Sequence, residues 1–392
     1  MQMKQGNCQS RRTLLQGLTA AGGAALLGPS MLANAWGQGA IDPRVAKIVG
    51  ATISVDMHNH DGQPTFAKTS ADRKPDPTDV DLSGEMKKAG LSAICLTYAV
   101  DSYRTAQKDD WYHYHLQCLE YDDRLLAKSG MRRALTVTDL KAAHASKTPI
   151  VIQACEGAHW IEGKLERIEE AYKHDLRLMQ LPHQMHDLVA PLGGVQQLIQ
   201  SPGAQTPSVT GLTPFGADVI RECNRLGIVV DMAHADEETV IGALRVTQQP
   251  LLVTHTALDS EVGRSADLYV SNPGLRARLA SKTYAKAVAD AGGIMGIWRI
   301  FPTVKDYVIG IKQMVDVAGV DHVGIGTDTS LALGRGAGRV PSTNNIWPDE
   351  KNGFLYSVVQ EMLTQGFEPD EISKIAGGNY VRVFGKVTRS AA

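Results

Sequence analysis

Eight short apolar runs, each followed by residues with helical spacing, set the strongest limit on what this chain can fold into. They are residues 51–57, 92–98, 149–155, 176–181, 227–233, 250–254, 293–298 and 321–326. None alternates cleanly between apolar and polar residues, which is the pattern of strands covered on both faces in a parallel sheet. Between them lie segments with spaced apolar positions and charged faces, such as 162–174, 215–226, 236–245 and 281–291. Asp236 heads its segment with acids in the turn that follows, as a helix N-terminus favours. Eight strands alternating with helices predict an α/β fold, a (β/α)8 TIM-type barrel. No G-x-G-x-x-G or Walker A run opens a helix, so the nucleotide-binding open sheets lose support. Segment 101–145 is too long for one crossover and reads as an insertion with two helices. Segments 196–213 and 330–348 read as long loops, which in a barrel rim the active site.

The first 35 residues differ in kind. Ser10-Arg11-Arg12-Thr13-Leu14-Leu15 opens a stretch rich in Ala, Gly and Leu that ends in Ala33-Asn34-Ala35. A charged start, a modest apolar centre and an A-x-A end make a signal peptide of the twin-arginine type, with a periplasmic destination. The organisation predicted is a signal over 1–35, a linker over 36–50 and one barrel domain over 51–392. Four cysteines remain beyond Cys8, namely Cys95, Cys118, Cys155 and Cys223, with no C-x-x-C pair. Their apolar surroundings predict buried free thiols. A net charge of −2 gives no electrostatic case for nucleic acid.

The ends of the predicted strands carry the chemistry. The first leads into His58-Asn59-His60, the third ends in Cys155-Glu156, the fourth reaches His183, the fifth His234, the sixth His255 and the eighth Asp328. Residues two apart on a strand share a face, so Asp56, His58 and His60 are expected to point the same way. All of these ends fall at the face where barrel enzymes hold their reactive groups. Glu156, between two pairs of histidines, can bridge two divalent ions that share an acidified hydroxide. Imidazoles with one carboxylate favour zinc over magnesium or calcium. Asp328 stands where a base could take a proton from that water and return it to a leaving amine.

These residues, in this order, resemble the membrane (renal) dipeptidase family of zinc metallopeptidases, within the amidohydrolase-like, metal-dependent hydrolase barrels. The likeness runs from about Val55 to Phe384. Its markers are DMHNH at 56–60, CEG at 155–157, LPH at 181–183 and GLT with FG at 211–216. NRLGIVVDMAH at 224–234, VTH at 253–255, GG at 292–293, HVGIGTD at 322–328 and AGGNYVRVF at 376–384 complete the set. The resemblance implies that His58 and His60 bind one zinc ion, His234 and His255 a second, and that Glu156 bridges them. It implies that His183 binds the substrate carbonyl and stabilises the oxyanion, and that Asp328 is the acid/base. It also implies an arginine for the substrate carboxylate, with Arg278 the best match and Arg264 and Arg276 as rivals. Where the family carries His-x-Asp, this chain has His58-x-His60, which removes one negative charge.

The expected activity is cleavage of a dipeptide amide bond by a metal-bridging hydroxide. The expected partner is a small-molecule substrate, with a homodimer as a possible assembly. Hydrolysis of another small amide, ester or lactone is the alternative within enzymes. A non-catalytic barrel that binds a ligand or serves a maturation pathway is the alternative outside them.

Overall fold

The computed structural model describes residues 40–62, 80–100, 109–183, 192–193, 209–265, 273–332 and 341–389. The signal read at 1–35 and much of the two long loops lie outside these residues. The strands are β1 Val55–His60, β2 Ala93–Ala99, β3 Ile150–Glu156, β4 Leu176–Gln180, β5 Val229–Asp231, β6 Leu252–Leu258, β7 Leu279–Ala280, β8 Ile294–Ile297 and β9 Val323–Ile325. Hydrogen-bonded neighbours run β1–β2–β3–β4–β5–β6–β8–β9 and return to β1, every pair parallel. This is a closed eight-stranded barrel, as the spacing of the apolar runs predicts. The two-residue β7 pairs only with the end of β6 and stands outside the ring.

Strand β1 starts four residues later than the apolar pattern suggests. Ala51 belongs to the helix Pro43–Ala51, capped at its start by Asp42 and at its end by Thr52, whose hydroxyl donates to Ile48 O at 2.8 Å. That helix buries Val45 and Val49, so the stretch 36–50 read as a linker is helical from residue 43. The histidine motif is therefore part of the strand and does not follow it. The insertion forms two helices, Asp110–Lys128 and Val137–Ala145, as expected, the second opened by a Thr136–Asp139 capping box. Among the described residues no helix is long and apolar enough to cross a membrane. Cys95, Cys118, Cys155 and Cys223 are buried free thiols.

Barrel polarity comes from which residues point inward. On β3, Ile150, Ile152 and Ala154 join the inner cluster, while Val151 and Cys155 join the outer one. The next inward position is Glu156, at the C-terminal end. The inward residues at the strand starts, Val55, Ala93, Ile150, Val229, Leu252 and Ile294, pack with Tyr380, Val383, Phe384 and Val387 of the last helix, Asn379–Arg389. That helix is the floor of the barrel. Tyr380 and Phe384 stack at 5.6 Å, and the Cys95 thiol donates to the Tyr380 oxygen at 3.3 Å. Each such side chain, fully buried, contributes about 1.5–3 kcal/mol. On the opposite wall a Cβ at Gly296 or Gly326 would sit 1.9 or 1.7 Å from Thr254 O, so β6 approaches β8 and β9 only because these positions lack side chains.

Candidate metal centre

Strand β1 does not alternate strictly. Its pairing with β2 slips by one residue between Asp56 and Asn59, a bulge that re-aims the side chains near the active face. Asp56, fully buried, anchors the bulge. It accepts from Thr327 N at 2.9 Å, Thr327 Oγ1 at 2.6 Å and Asn59 Nδ2 at 2.9 Å. Burial pushes its carboxyl up to about 6 against these bonds. Asp328 N then donates to His58 O at 3.0 Å, and His60 N to Thr329 O at 2.7 Å, which brings His58, His60 and Asp328 together.

Glu156 lies at the centre of five imidazoles. Its Oε1 is 3.7 Å from His58 Nε2, 3.7 Å from His183 Nε2, 3.3 Å from His234 Nε2 and 3.7 Å from His255 Nε2, and its Oε2 is 3.9 Å from His60 Nε2. Donor atoms around a tetrahedral ion held at about 2.0–2.1 Å lie roughly 3.3 Å apart, so this spacing suits shared coordination. Burial alone would raise the Glu156 pKa, but His183, His58, His234 and His60 hold it well below the ordinary carboxylate value. Glu156 is ionised.

The hydrogen bonds fix the histidine tautomers. Thr254 Oγ1 donates its one proton to Asp231 Oδ2 at 2.5 Å, so at 3.0 Å from His255 Nδ1 it can only accept. His255 therefore carries its proton on Nδ1 and turns a bare Nε2 into the cluster. Arg278 Nη2 donates to His234 Nε2 at 2.8 Å, which makes that nitrogen an acceptor too. These two nitrogens, neither carrying a proton and that of His234 held by Arg278, face each other at 2.9 Å. Such a pair repels unless a cation sits against both, and this is the feature of the cluster that best fits a metal ion. His58 Nε2, buried and with no hydrogen-bond partner, adds a third bare nitrogen aimed at Glu156. Burial pushes His58 down to about 4 and, with the Arg278 charge, His234 down to about 3; His255 is also held well below its ordinary value. These three are neutral at pH 7, the form in which an imidazole can bind a metal ion.

His60 is the exception. Burial would lower its pKa, but the hydrogen bond to Asp328 Oδ1 at 2.9 Å and the charge of Glu156 raise it to about 9. The same bond, with the charge of His60, holds Asp328 far below the ordinary carboxylate value against burial. His234 and Asp328 both take left-handed backbone, at φ 69° and 55°, where a side chain costs about 1 kcal/mol or more. Each lies just past a strand end, where the turn aims its side chain back over the barrel mouth.

His58, His60, Glu156, His183, His234, His255 and Asp328, all singled out from the sequence, come together in this cluster. Ligand atoms of His58, His60 and Asp328 lie within 4.8 Å of one another, as do those of Glu156, His183 and His234. Among the candidate arginines, Arg278 reaches the cluster with its guanidinium 3.9 Å from the centre of the Trp298 ring. Arg264 is exposed and ion-paired with Asp259, and Arg276 is exposed. Sequence reasoning missed Thr254 and the role of Asp231, whose ligand oxygen also lies within 4.8 Å of His58 and His255. It missed Arg299, whose Nε donates to the Asp328 carbonyl at 3.3 Å. The carboxylate in Asp231-x-x-His234 was the available signal for the first pair, while nothing local marked Arg299.

A family model described as membrane dipeptidase (peptidase family M19) matches residues 43–392. Among curated proteins, dipeptidase tcpJ of Claviceps purpurea (strain 20.1) is 24% identical over 284 residues, covering 69% of this chain and 57% of that protein. The chain thus spans little more than half the length of that relative. Two solved structures from Pseudomonas aeruginosa share the fold. One, an amidohydrolase, is 19% identical with a TM-score of 0.66 and covers 88% of this chain and 98% of its own. The other, a probable dipeptidase PvdM, is 16% identical with a TM-score of 0.66 and covers 89% of this chain and 98% of its own.

Proposed function

The chain belongs to the membrane dipeptidase family, peptidase family M19, and from that premise we propose that it is a zinc dipeptidase. The observation that carries the reading is the pair of proton-free nitrogens, His234 Nε2 and His255 Nε2, 2.9 Å apart beside an ionised Glu156, where a metal ion would take the place of the Arg278 bond on His234. His58, His60, Glu156, His234 and His255 would hold two zinc ions, with Glu156 between them. Bound there, the ions supply Lewis acidity that makes water nucleophilic at neutral pH and polarises the scissile carbonyl.

The chain's own groups do the rest. Arg278, braced against Trp298, takes the substrate's terminal carboxylate in a forked contact. His183 donates to the carbonyl oxygen as it gains negative charge. Asp328, ionised at rest and set at the rim by its left-handed backbone, accepts the proton of the attacking water and passes it to the departing amine. The printed name of the fungal relative supports the dipeptide substrate. The twin-arginine pattern of residues 1–35 supports export to the periplasm.

Metal analysis of the purified protein, followed by a screen of L,L- and L,D-dipeptides with and without chelator, tests the reading. At least one zinc per chain and chelator-sensitive hydrolysis are expected. Less than one metal ion per chain, or hydrolysis indifferent to chelator, overturns it. For export, fusing residues 1–35 to a reporter should carry it to the periplasm, and an R11K/R12K pair should strand it inside the cell.

A further inference from the structure

Among the described residues, Arg299 is a charged group at the barrel mouth that the reaction above leaves unused. It follows Trp298 at the end of β8, and its Nε donates to the backbone carbonyl of Asp328 at 3.3 Å. Among the described residues no carboxylate side chain pairs with it, although it is partly buried. Burial lowers its pKa, the charge of Asp328 opposes that, and the charge of Arg278 adds to it. The described part of the mouth therefore holds two guanidinium groups that feel each other, where one suffices for a single terminal carboxylate. A cation withdrawn from water without an acidic partner is costly to keep. It is offset when a ligand brings the missing negative charge.

The position of Arg299 says which part of a substrate that is. Three groups radiate from the Cα of the departing residue: the amine nitrogen, the carboxylate and the side chain. Asp328 serves the nitrogen and Arg278 the carboxylate. Arg299 is tied to Asp328 and lies within electrostatic range of Arg278, so the side chain is the group left for it. We propose that the site selects substrates whose departing residue carries a second carboxylate, an aspartyl or glutamyl side chain, and that Arg299 binds it. This rests on the dipeptidase reading and narrows it to a substrate class.

The test compares acid with amide. Wild-type zinc-loaded protein is assayed on Ala-Glu, Ala-Gln, Ala-Asp, Ala-Asn and Ala-Ala, each with an L- or D-configured departing residue. The expected kcat/KM for the acidic member of each acid/amide pair exceeds that of the amide by about tenfold or more, since a charge-assisted hydrogen bond separates them. R299Q should collapse that ratio toward one, and R299E should reverse it in favour of Ala-Lys. Calorimetric titration with glutamate and glutamine reads the same pocket without turnover, and glutamate should bind more tightly in wild type but not in R299Q. If neutral dipeptides are cleaved as well as acidic ones, the inference falls and the dipeptidase reading stands. If no dipeptide is cleaved, the dipeptidase reading falls, and the calorimetric comparison alone decides whether Arg299 is an anion site.

Discussion

His60 Nε2 and Asp328 Oδ1 stand 2.9 Å apart, and each holds the other in its charged form. A metal ion that takes His60 as a ligand must first displace its proton. His58 and His234, pushed down to about 4 and about 3, bring no proton at pH 7. Zinc binding should therefore release about one proton at pH 7, and apparent affinity should climb roughly tenfold per pH unit up to about pH 9. Competition titrations with a zinc indicator at several pH values would measure the slope. An affinity flat from pH 6 to 9 would contradict the pairing.

Replacing the acid tests its catalytic part separately from its hold on His60. Asp328→Asn should lower kcat about 100- to 10,000-fold, the range for loss of a general acid/base. Zinc content at pH 8 should stay near that of wild type. Proton release on metal binding should fall, because His60 loses the partner that raises its pKa.

Thr254→Val removes the hydroxyl that links Asp231 to His255 and keeps the shape of the side chain. It leaves a buried carboxylate oxygen and an imidazole N–H unpaired, costing about 1–3 kcal/mol of stability. Zinc affinity should weaken about 10- to 100-fold as His255 loses its fixed tautomer. Thr254→Ser should restore both, which denaturant titration and metal titration would show.

Arg278→Lys keeps the charge and loses the fork and the stacking on Trp298. KM for dipeptides should rise about 10- to 100-fold with a smaller change in kcat. C-terminally amidated dipeptides, lacking the carboxylate, should be hydrolysed equally by both proteins. A drop in kcat alone would place this arginine elsewhere in the reaction.

Two glycines give opposite expectations for the same change. Gly326→Ala puts a methyl 1.7 Å from the Thr254 carbonyl, and the barrel cannot close around it. Gly50→Ala, on a helix with nothing within 4 Å, should stabilise by up to about 0.5–1 kcal/mol. Soluble yield for the first and melting temperature for the second would show both effects.

The ring was legible in the sequence because strands covered on both faces read as continuous apolar runs, and the cluster because each member sits at the end of one. The start of β1 was not, since Ala51 to Val55 are as apolar as a strand while Thr52 spends its hydroxyl capping a helix. The bulge at His58 was hidden for a related reason: pairing register depends on the neighbouring strand, and no residue of β1 announces it. The carboxylate-to-hydroxyl links Asp56–Thr327 and Asp231–Thr254 join residues 271 and 23 positions apart, beyond any local pattern. Arg299 looked like one more charged residue after a strand until the Asp328 carbonyl appeared beside it.

The floor of the barrel also sets an order of events during synthesis. Val55 and Ala93 leave the ribosome long before the Tyr380 and Phe384 that cover them. Until that helix is free, the inner cluster stays open to water at one end, and the ring cannot reach its finished state. Activity should therefore appear only after this helix has left the ribosome. A stop codon even two helical turns before Arg389 should give misfolded protein and not a weaker enzyme.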